Sequence, residues 1–275
     1  MALNSKDFTG THFDRIAFNI FLFGGIFLLW YEACFVLPSY DPNTVQYVWF
    51  HYLVAGWLAF SIYGNMYKLK TTDTVHKRRG EDGVVANKPR GWKYCRTCVM
   101  DTPARSHHCK VCNVCILKRD HHCWFAACCI GYHNHRYYVV MVTYMVIAGL
   151  YCNSFNCDFV TSVTGGFSVM NVVWFLGPHV GWVFGFLDGY QFLIYLLSSA
   201  GIIMTVLFTW LLVIQIIQIK SGQTKYERTM EIHNYNIKRQ WNIQEVFGEK
   251  SFLVFLSPFL NSALPGDGIV FSAAD

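Results

Sequence analysis

The 22 lysines and arginines of this 275-residue chain are segregated, and the gaps between them limit what it can fold into. Two lie in residues 1–15, fourteen in 68–136 and six in 220–275, with none in 16–67 or 137–219. Each empty stretch exceeds fifty residues, whereas a bilayer crossing takes about 20. Each therefore has room for two crossings and a turn. Composition agrees, with 53% hydrophobic and 14% charged residues where soluble domains carry about 25% charged. MALNSKDFTGTHFDR is polar, and the apolar run behind it is longer than a signal-peptide core, so an uncleaved anchor is expected.

The expected fold class is an all-α integral membrane protein with four transmembrane helices. Residues 1–67 hold the N-terminus and two helices, at about 16–37 and 46–67. Pro38 and the polar residues after it make the turn between them. That turn, Ser39 to Val45, has no Lys or Arg, so it faces away from the cytosol. The basic block 68–136 and both termini then face the cytosol. Residues 137–219 hold a third helix at about 137–157 and a fourth at about 191–219. GFSVMNVVWFLGPHVGWVFGF, between them, is broken by Gly and Pro. It is expected to lie along the lumenal interface, because the basic tail 220–275 favours an even number of crossings. Glu32 and His51 fall inside expected helices, where ionisable residues are functional candidates by default; being close to the turn, they are expected instead to snorkel or to pair across the bundle. Cys34, Cys152 and Cys157 are expected to be buried small apolar residues. No internal repeat is apparent.

Eight of the eleven cysteines stand in CRTCVMDTPARSHHCKVCNVCILKRDHHCWFAACC, residues 95–129. A reducing cytosol disfavours disulfides, and C-x-x-C spacings interleaved with His suit tetrahedral zinc. Ligand counting leaves two readings. Eight cysteines can fill two closed Cys₄ sites. Alternatively, one cysteine stands outside the metal shell as a nucleophile. Asp120, His121, His122 and Cys123 supply a carboxylate, imidazoles and a thiol in four consecutive residues, the parts of an activated thiol. Basic charge on a zinc block also suggests nucleic acid. However, the block is tethered between membrane helices and lacks C₂H₂ finger spacing, so that partner is excluded.

Several features together resemble the DHHC protein S-acyltransferases, or palmitoyltransferases. They are C-x₂-C from Cys95, PARSHHC, C-x₂-C-x₂-C, DHHC at 120–123, Cys129 and the GYHN that follows. SGQTKYE resembles the family's TTxE element, and NIQEVFG its Asn-containing tail motif. The resemblance implies two structural Zn²⁺ sites. One would use Cys95, Cys98, His108 and Cys115, and the other Cys109, Cys112, His122 and Cys129. It leaves Cys123 as the acylated nucleophile, His121 as its base and Asp120 as the orienting acid. The chain departs from the family pattern at Trp124-Phe125, where Pro-Trp is usual, and at Cys128, where Asn is usual. TTDTV stands in place of Asp-Pro-Gly, and Lys225 in place of the second Thr of TTxE.

The implied reaction carries a long-chain acyl group from acyl-CoA through acyl-Cys123 to cysteines of membrane-proximal protein substrates. The fatty tail would rest among the apolar helices, since hydrocarbon burial is worth about 0.8 kcal/mol per CH₂. Residues 68–136 carry fourteen Lys/Arg against five Asp/Glu, a balance of +9. Arg136 and Lys110 are the candidates for the CoA phosphates. The compartment implied is the endoplasmic reticulum or Golgi. The alternative is a catalytically weak or inactive membrane-anchored zinc adaptor of the same fold.

Overall fold

A computed structural model describes residues 11–39, 48–77, 83–85, 87–166, 168–236 and 239–271. The turn after Ser39 and the HKRRGED stretch beyond Lys77 fall outside the described residues. The chain divides into two compact units. One takes in Met1–Leu22, Ser61–Met141 and Val213–Asp275, and the other Phe23–Phe60 and Val142–Leu212.

The long helices are α1 (His12–Tyr31), α2 (Val48–Thr71), α3 (His135–Val163) and α6 (Gly189–Lys220). Short helices α4 (Val169–Leu176) and α5 (Pro178–Val183) lie between α3 and α6. Among the described residues three stretches are long and apolar enough to cross a membrane: His12–Ser39, His135–Val163 and Gly189–Lys220. The expectation of four is met in part. α2 is 24 residues long but is diluted by Gly56, Ser61, Gly64, Asn65 and its terminal lysines. At eight and six residues, α4 and α5 are each far shorter than the roughly 20 that span a bilayer.

The second unit closes on Tyr31, Val36, Phe159, Val160, Leu187, Ile194 and Tyr195. After Tyr31 the chain loosens into a π turn over Glu32–Val36 and a 3₁₀ turn over Leu37–Ser39. Glu32 accepts a hydrogen bond from Asn156 Nδ2, and His51 Nδ1 pairs with Tyr151 Oη. Both ionisable residues thus find partners on α3, 124 and 100 residues on. Asn156 also holds Ser198 of α6 at 3.3 Å. Such pairing explains why α3 runs on to Val163 through the polar NSFNCD, past the expected end near 157. The expectation of buried cysteines fails for two of the three: Cys34 and Cys157 are exposed, and only Cys152 is half-buried, all as free thiols.

The first unit contains β structure that the all-α expectation lacked. Six three-residue strands form three antiparallel hairpins: β1 (Lys93–Cys95) with β2 (Met100–Thr102), β3 (His107–Cys109) with β4 (Val114–Ile116), and β5 (His121–Cys123) with β6 (Cys128–Ile130). They start at 93, 107 and 121, so the interval is fourteen residues. Registers repeat at the same interval, pairing Cys95 with Met100, Cys109 with Val114 and Cys123 with Cys128. Val99, Asn113 and Ala127 each take positive φ, at 51°, 55° and 49°. The chain therefore does contain an internal repeat, contrary to expectation. It is too short and too varied in side chains to stand out until the backbone is seen. Left-handed backbone is unusual for a β-branched residue such as Val99. It recurs here because each turn follows a C-x-x-C or C-x-x-A bend.

TTDTV stitches the second hairpin in place. Val75 bridges to Ile116, and the N–H groups of Leu117 and His76 reach Thr74 O and Cys115 O at 3.0 and 2.8 Å. After α6 come α7 (Lys225–Thr229) and α8 (Arg239–Phe247). Thr224 and Glu227 form a reciprocal capping box on α7, the residual half of the TTxE element.

Candidate active site and metal centres

Each of the first two bends offers two sulfurs, and each is completed from the next hairpin. Cys95 and Cys98 meet His108 and Cys115, which face one another across β3–β4. Cys109 and Cys112 meet His122 and Cys129, which face one another across β5–β6. In each group all four donor atoms lie within 4.8 Å of one another. Several pairs approach more closely, as Cys98 Sγ to Cys115 Sγ at 3.6 Å and Cys112 Sγ to Cys129 Sγ at 3.5 Å. Tetrahedral zinc with thiolates at ~2.3 Å gives edges of ~3.8 Å, so both groups suit that ion. His108 and His122 turn Nδ1 to the sulfurs, at 3.2 and 3.3 Å from Cys98 and Cys112.

The third bend is different. Cys123 takes the place of Cys95 and Cys109, but Ala126 stands where Cys98 and Cys112 stand. The completing pair would fall fourteen residues on, at Arg136 and Thr143, which belong to α3. Cys123 therefore lies outside both four-donor groups. The arrangement with all eight cysteines in two Cys₄ groups is not the one assembled.

Strand alternation puts His121 and Cys123 on one face of β5 and His122 on the other. Asp120 Oδ2 accepts from His121 Nδ1 at 2.7 Å and from Gln215 Nε2 at 3.0 Å. Its Oδ1 accepts from the backbone N–H of Lys225 at 2.7 Å. Gln215 is held in turn by His135 Nε2 at 2.6 Å and Gln218 Oε1 at 3.0 Å. Burial opposes ionisation of Asp120, but the hydrogen bond and charge of His121 outweigh it and hold the carboxyl below the usual range. Burial pushes the Cys123 thiol up, helped by neighbouring Cys128 and Asp14. Phe125 packs toward Phe21 and Tyr138, with ring centroids 5.3 and 6.1 Å away. Trp124 is 62% exposed at the bend and meets Phe13 edge-on.

The remaining candidates separate. Lys110 is exposed beside Cys109. Arg136 is buried, and its guanidinium donates to Ser262 O at 2.7 Å and Tyr137 Oη at 2.5 Å. Asp14 went unnoticed in the sequence. It is 2% exposed, and its Oδ1 lies 3.3 Å from His122 Nε2, the nitrogen turned away from the sulfurs. That nitrogen makes no well-formed hydrogen bond, so the two groups are close without being aligned. The only hint was the T-x-x-D spacing of Thr11 and Asp14. Gln215 carried no signal at all, since a lone Gln late in an apolar helix reads as incidental. Arg105 of PARSHHC is fully buried. It donates to both oxygens of Glu227 at 2.7 and 2.6 Å, to Gly222 O at 2.8 Å and to Glu245 at 3.2 Å.

Two metal groups strung along three like hairpins, with a spare cysteine beside a carboxylate–imidazole pair, define a zinc-hairpin module carrying a candidate thiol nucleophile. The DHHC palmitoyltransferase pattern matches residues 88–232, more than half of the chain, and the chain belongs to that family. A zebrafish (Danio rerio) protein named "Probable palmitoyltransferase ZDHHC24" is 33% identical over 183 residues, 66% of this chain and 62% of its own length. The rat (Rattus norvegicus) protein of the same name is 31% identical over 193 residues, 66% of this chain and 64% of its own. The chain thus spans a little under two thirds of the length of these relatives.

Proposed function

We propose that this chain is a protein S-acyltransferase that moves a long-chain acyl group, such as palmitoyl, from acyl-CoA to cysteine thiols of membrane-proximal proteins. The observation that carries the reading is the position of Cys123, outside both metal groups and on the same strand face as His121. Family membership and the names of the relatives support it.

In the proposed step, the free imidazole nitrogen of His121 takes the Cys123 proton, and Asp120 holds the other nitrogen and steadies the resulting cation. The sulfur forms a bond to the thioester carbonyl carbon, and the bond from that carbon to the CoA sulfur breaks. His121 returns its proton to the departing CoA thiolate. A substrate thiol then repeats the exchange and frees Cys123. In the second half His121 takes the proton of the incoming substrate thiol and returns it to the departing Cys123 thiolate, so the base serves both halves. The metal sets described above would hold two zinc ions whose contribution is structural.

In this reading α1, α2, α3 and α6 span an endomembrane bilayer, of the endoplasmic reticulum or Golgi, with α4 and α5 along its lumenal face. Both termini and the hairpins are cytosolic. Lys110 keeps its place as a CoA-phosphate candidate. Arg136 is a weaker one, because its donors are already engaged.

The test is labelled palmitoyl-CoA with purified wild type and Cys123→Ser, together with zinc counting. Hydroxylamine-labile label on wild type alone, with equal zinc in both, is expected. Absence of label on wild type, or zinc loss in the variant, favours the adaptor.

A further inference from the structure

The C-terminal region contains a closed apolar loop that the proposed chemistry does not use. Its neck is tied three ways. Glu249 N–H donates to Ala263 O at 3.0 Å, Lys250 N–H to Ser262 Oγ at 3.0 Å, and Ser262 Oγ to Phe247 O at 2.7 Å. Gly248 makes the closure possible. It has φ +76°, and a Cβ there would sit 2.4 Å from Ser262 Oγ. Residues 250–262 between the tied ends have the size of an Ω-loop. No charged residue stands between Ser251 and Gly266.

Four of the loop's apolar side chains face the outside, while Phe255 packs toward Phe247. Phe252 is 86% exposed, Leu253 48%, Leu256 57% and Phe259 58%. A contiguous apolar patch of this kind marks a site of interaction with a membrane or another protein. Two contacts fix where it lies. Ser262 at the neck accepts from Arg136, in the first turn of α3. Pro258 packs against α2 so tightly that a Cβ on Gly64 would sit 2.6 Å from Pro258 Cγ. Gly64 precedes Lys68, the first cation at the end of α2, by four residues, or about 6 Å of helix. Interfacial apolar segments bury to a depth of about 5–10 Å.

We propose that residues 250–262 form a wedge seated in the hydrocarbon edge of the cytosolic leaflet, a lipid contact additional to the helices. This rests on reading α2 as a spanning helix. Depth and chemistry favour lipid over a protein partner. The neck is polar, the tip is apolar and without charge, and Pro258 of the loop packs on α2 about one turn inside Lys68.

The experiment uses the full chain in phosphatidylcholine nanodiscs doped with phosphatidylcholine bearing a diazirine near the top of one acyl chain. After irradiation and digestion, lipid adducts are mapped by mass spectrometry. Adducts on the peptide carrying Phe252 and Leu256, as well as on the α2 peptide carrying Tyr67, are expected. A labelled α2 with an unlabelled loop overturns the wedge. An unlabelled α2 overturns the spanning reading beneath it. An unlabelled loop that instead cross-links to a second copy of the chain assigns the patch to self-association and also overturns the proposal. Phe252→Asp combined with Leu256→Asp should abolish loop adducts and spare those on the Tyr67 peptide. Full labelling of the doubly substituted loop contradicts a lipid contact.

Discussion

The third bend, which carries Cys123, departs from the two metal bends at Ala126. The backbone at the third bend repeats the first two, down to the left-handed residue that follows. What it lacks is a second sulfur and a completing pair in the next segment. Ala126→Cys restores the C-x-x-C but not the completing pair, so zinc bound per chain is expected to stay at the wild-type count and acyl labelling at Cys123 to persist. A rise in zinc with loss of labelling would mean that the bend alone decides the fate of Cys123. Asp14 acts one step further out. A carboxylate behind a ligating imidazole fixes the ring and raises its basicity, and losing such a partner costs about 10–100-fold in metal affinity. Asp14→Ala should therefore release one of the two zincs faster to a chelating dye and leave the Cys95 group unaffected. The Lys225 departure has a simple explanation at this scale. Its contact with Asp120 is made by the backbone N–H, which any residue but proline supplies.

The hairpins have strands of only three residues and a small apolar core of Cys109, Cys112, Val114, Ile116 and Cys129. Outside them, an ion cluster does the joining. Arg105 and Lys118 meet Glu227 and Glu245, which links the second hairpin to α7 and α8. Burial opposes ionisation of Glu245, but Lys118 and Arg105 outweigh it and hold the carboxyl below its ordinary value. A carboxyl depressed on folding contributes stability above its unfolded pKa of about 4.5 and loses it as pH falls through the folded value. Thermal unfolding from pH 7 down to pH 3 should therefore show wild type converging on Glu245→Gln at the acid end, with wild type more stable near neutrality. Parallel profiles would remove Glu245 from the joint. The PARSHHC spacing was visible in the sequence, but its Arg partners lie 122 and 140 residues away. No local pattern brings those partners together.

For the molecule as a whole, the two units have different sources of cohesion. The second has its own aromatic and aliphatic cluster. The hairpin part of the first has only a small apolar core, which metal held by the two Cys/His groups would reinforce. A strong chelator should therefore loosen the hairpins while leaving most helical circular dichroism intact, because the long helices contain no metal donors. Collapse of the helical signal together with zinc loss would contradict that independence.

The sequence alone determined what is written in one-dimensional order. Segregated charge pointed to membrane helices, and the long helices fall where the charge-free stretches lie, with ends up to six residues from those expected. Metal-ligand spacing marked the cysteine block, and the motif order carried the resemblance to the family. Long-range packing decided the rest. It supplied Gln215 and Lys225 to Asp120, Asp14 to His122, and the fourteen-residue backbone repeat that leaves Cys123 without metal partners. It also gave partners to Asn156 and Glu32, so that a polar stretch stays helical. The physical reason is the same in each case. Spacing along the chain constrains residues a few positions apart, whereas hydrogen bonds and charge contacts between distant residues exist only after the chain has folded.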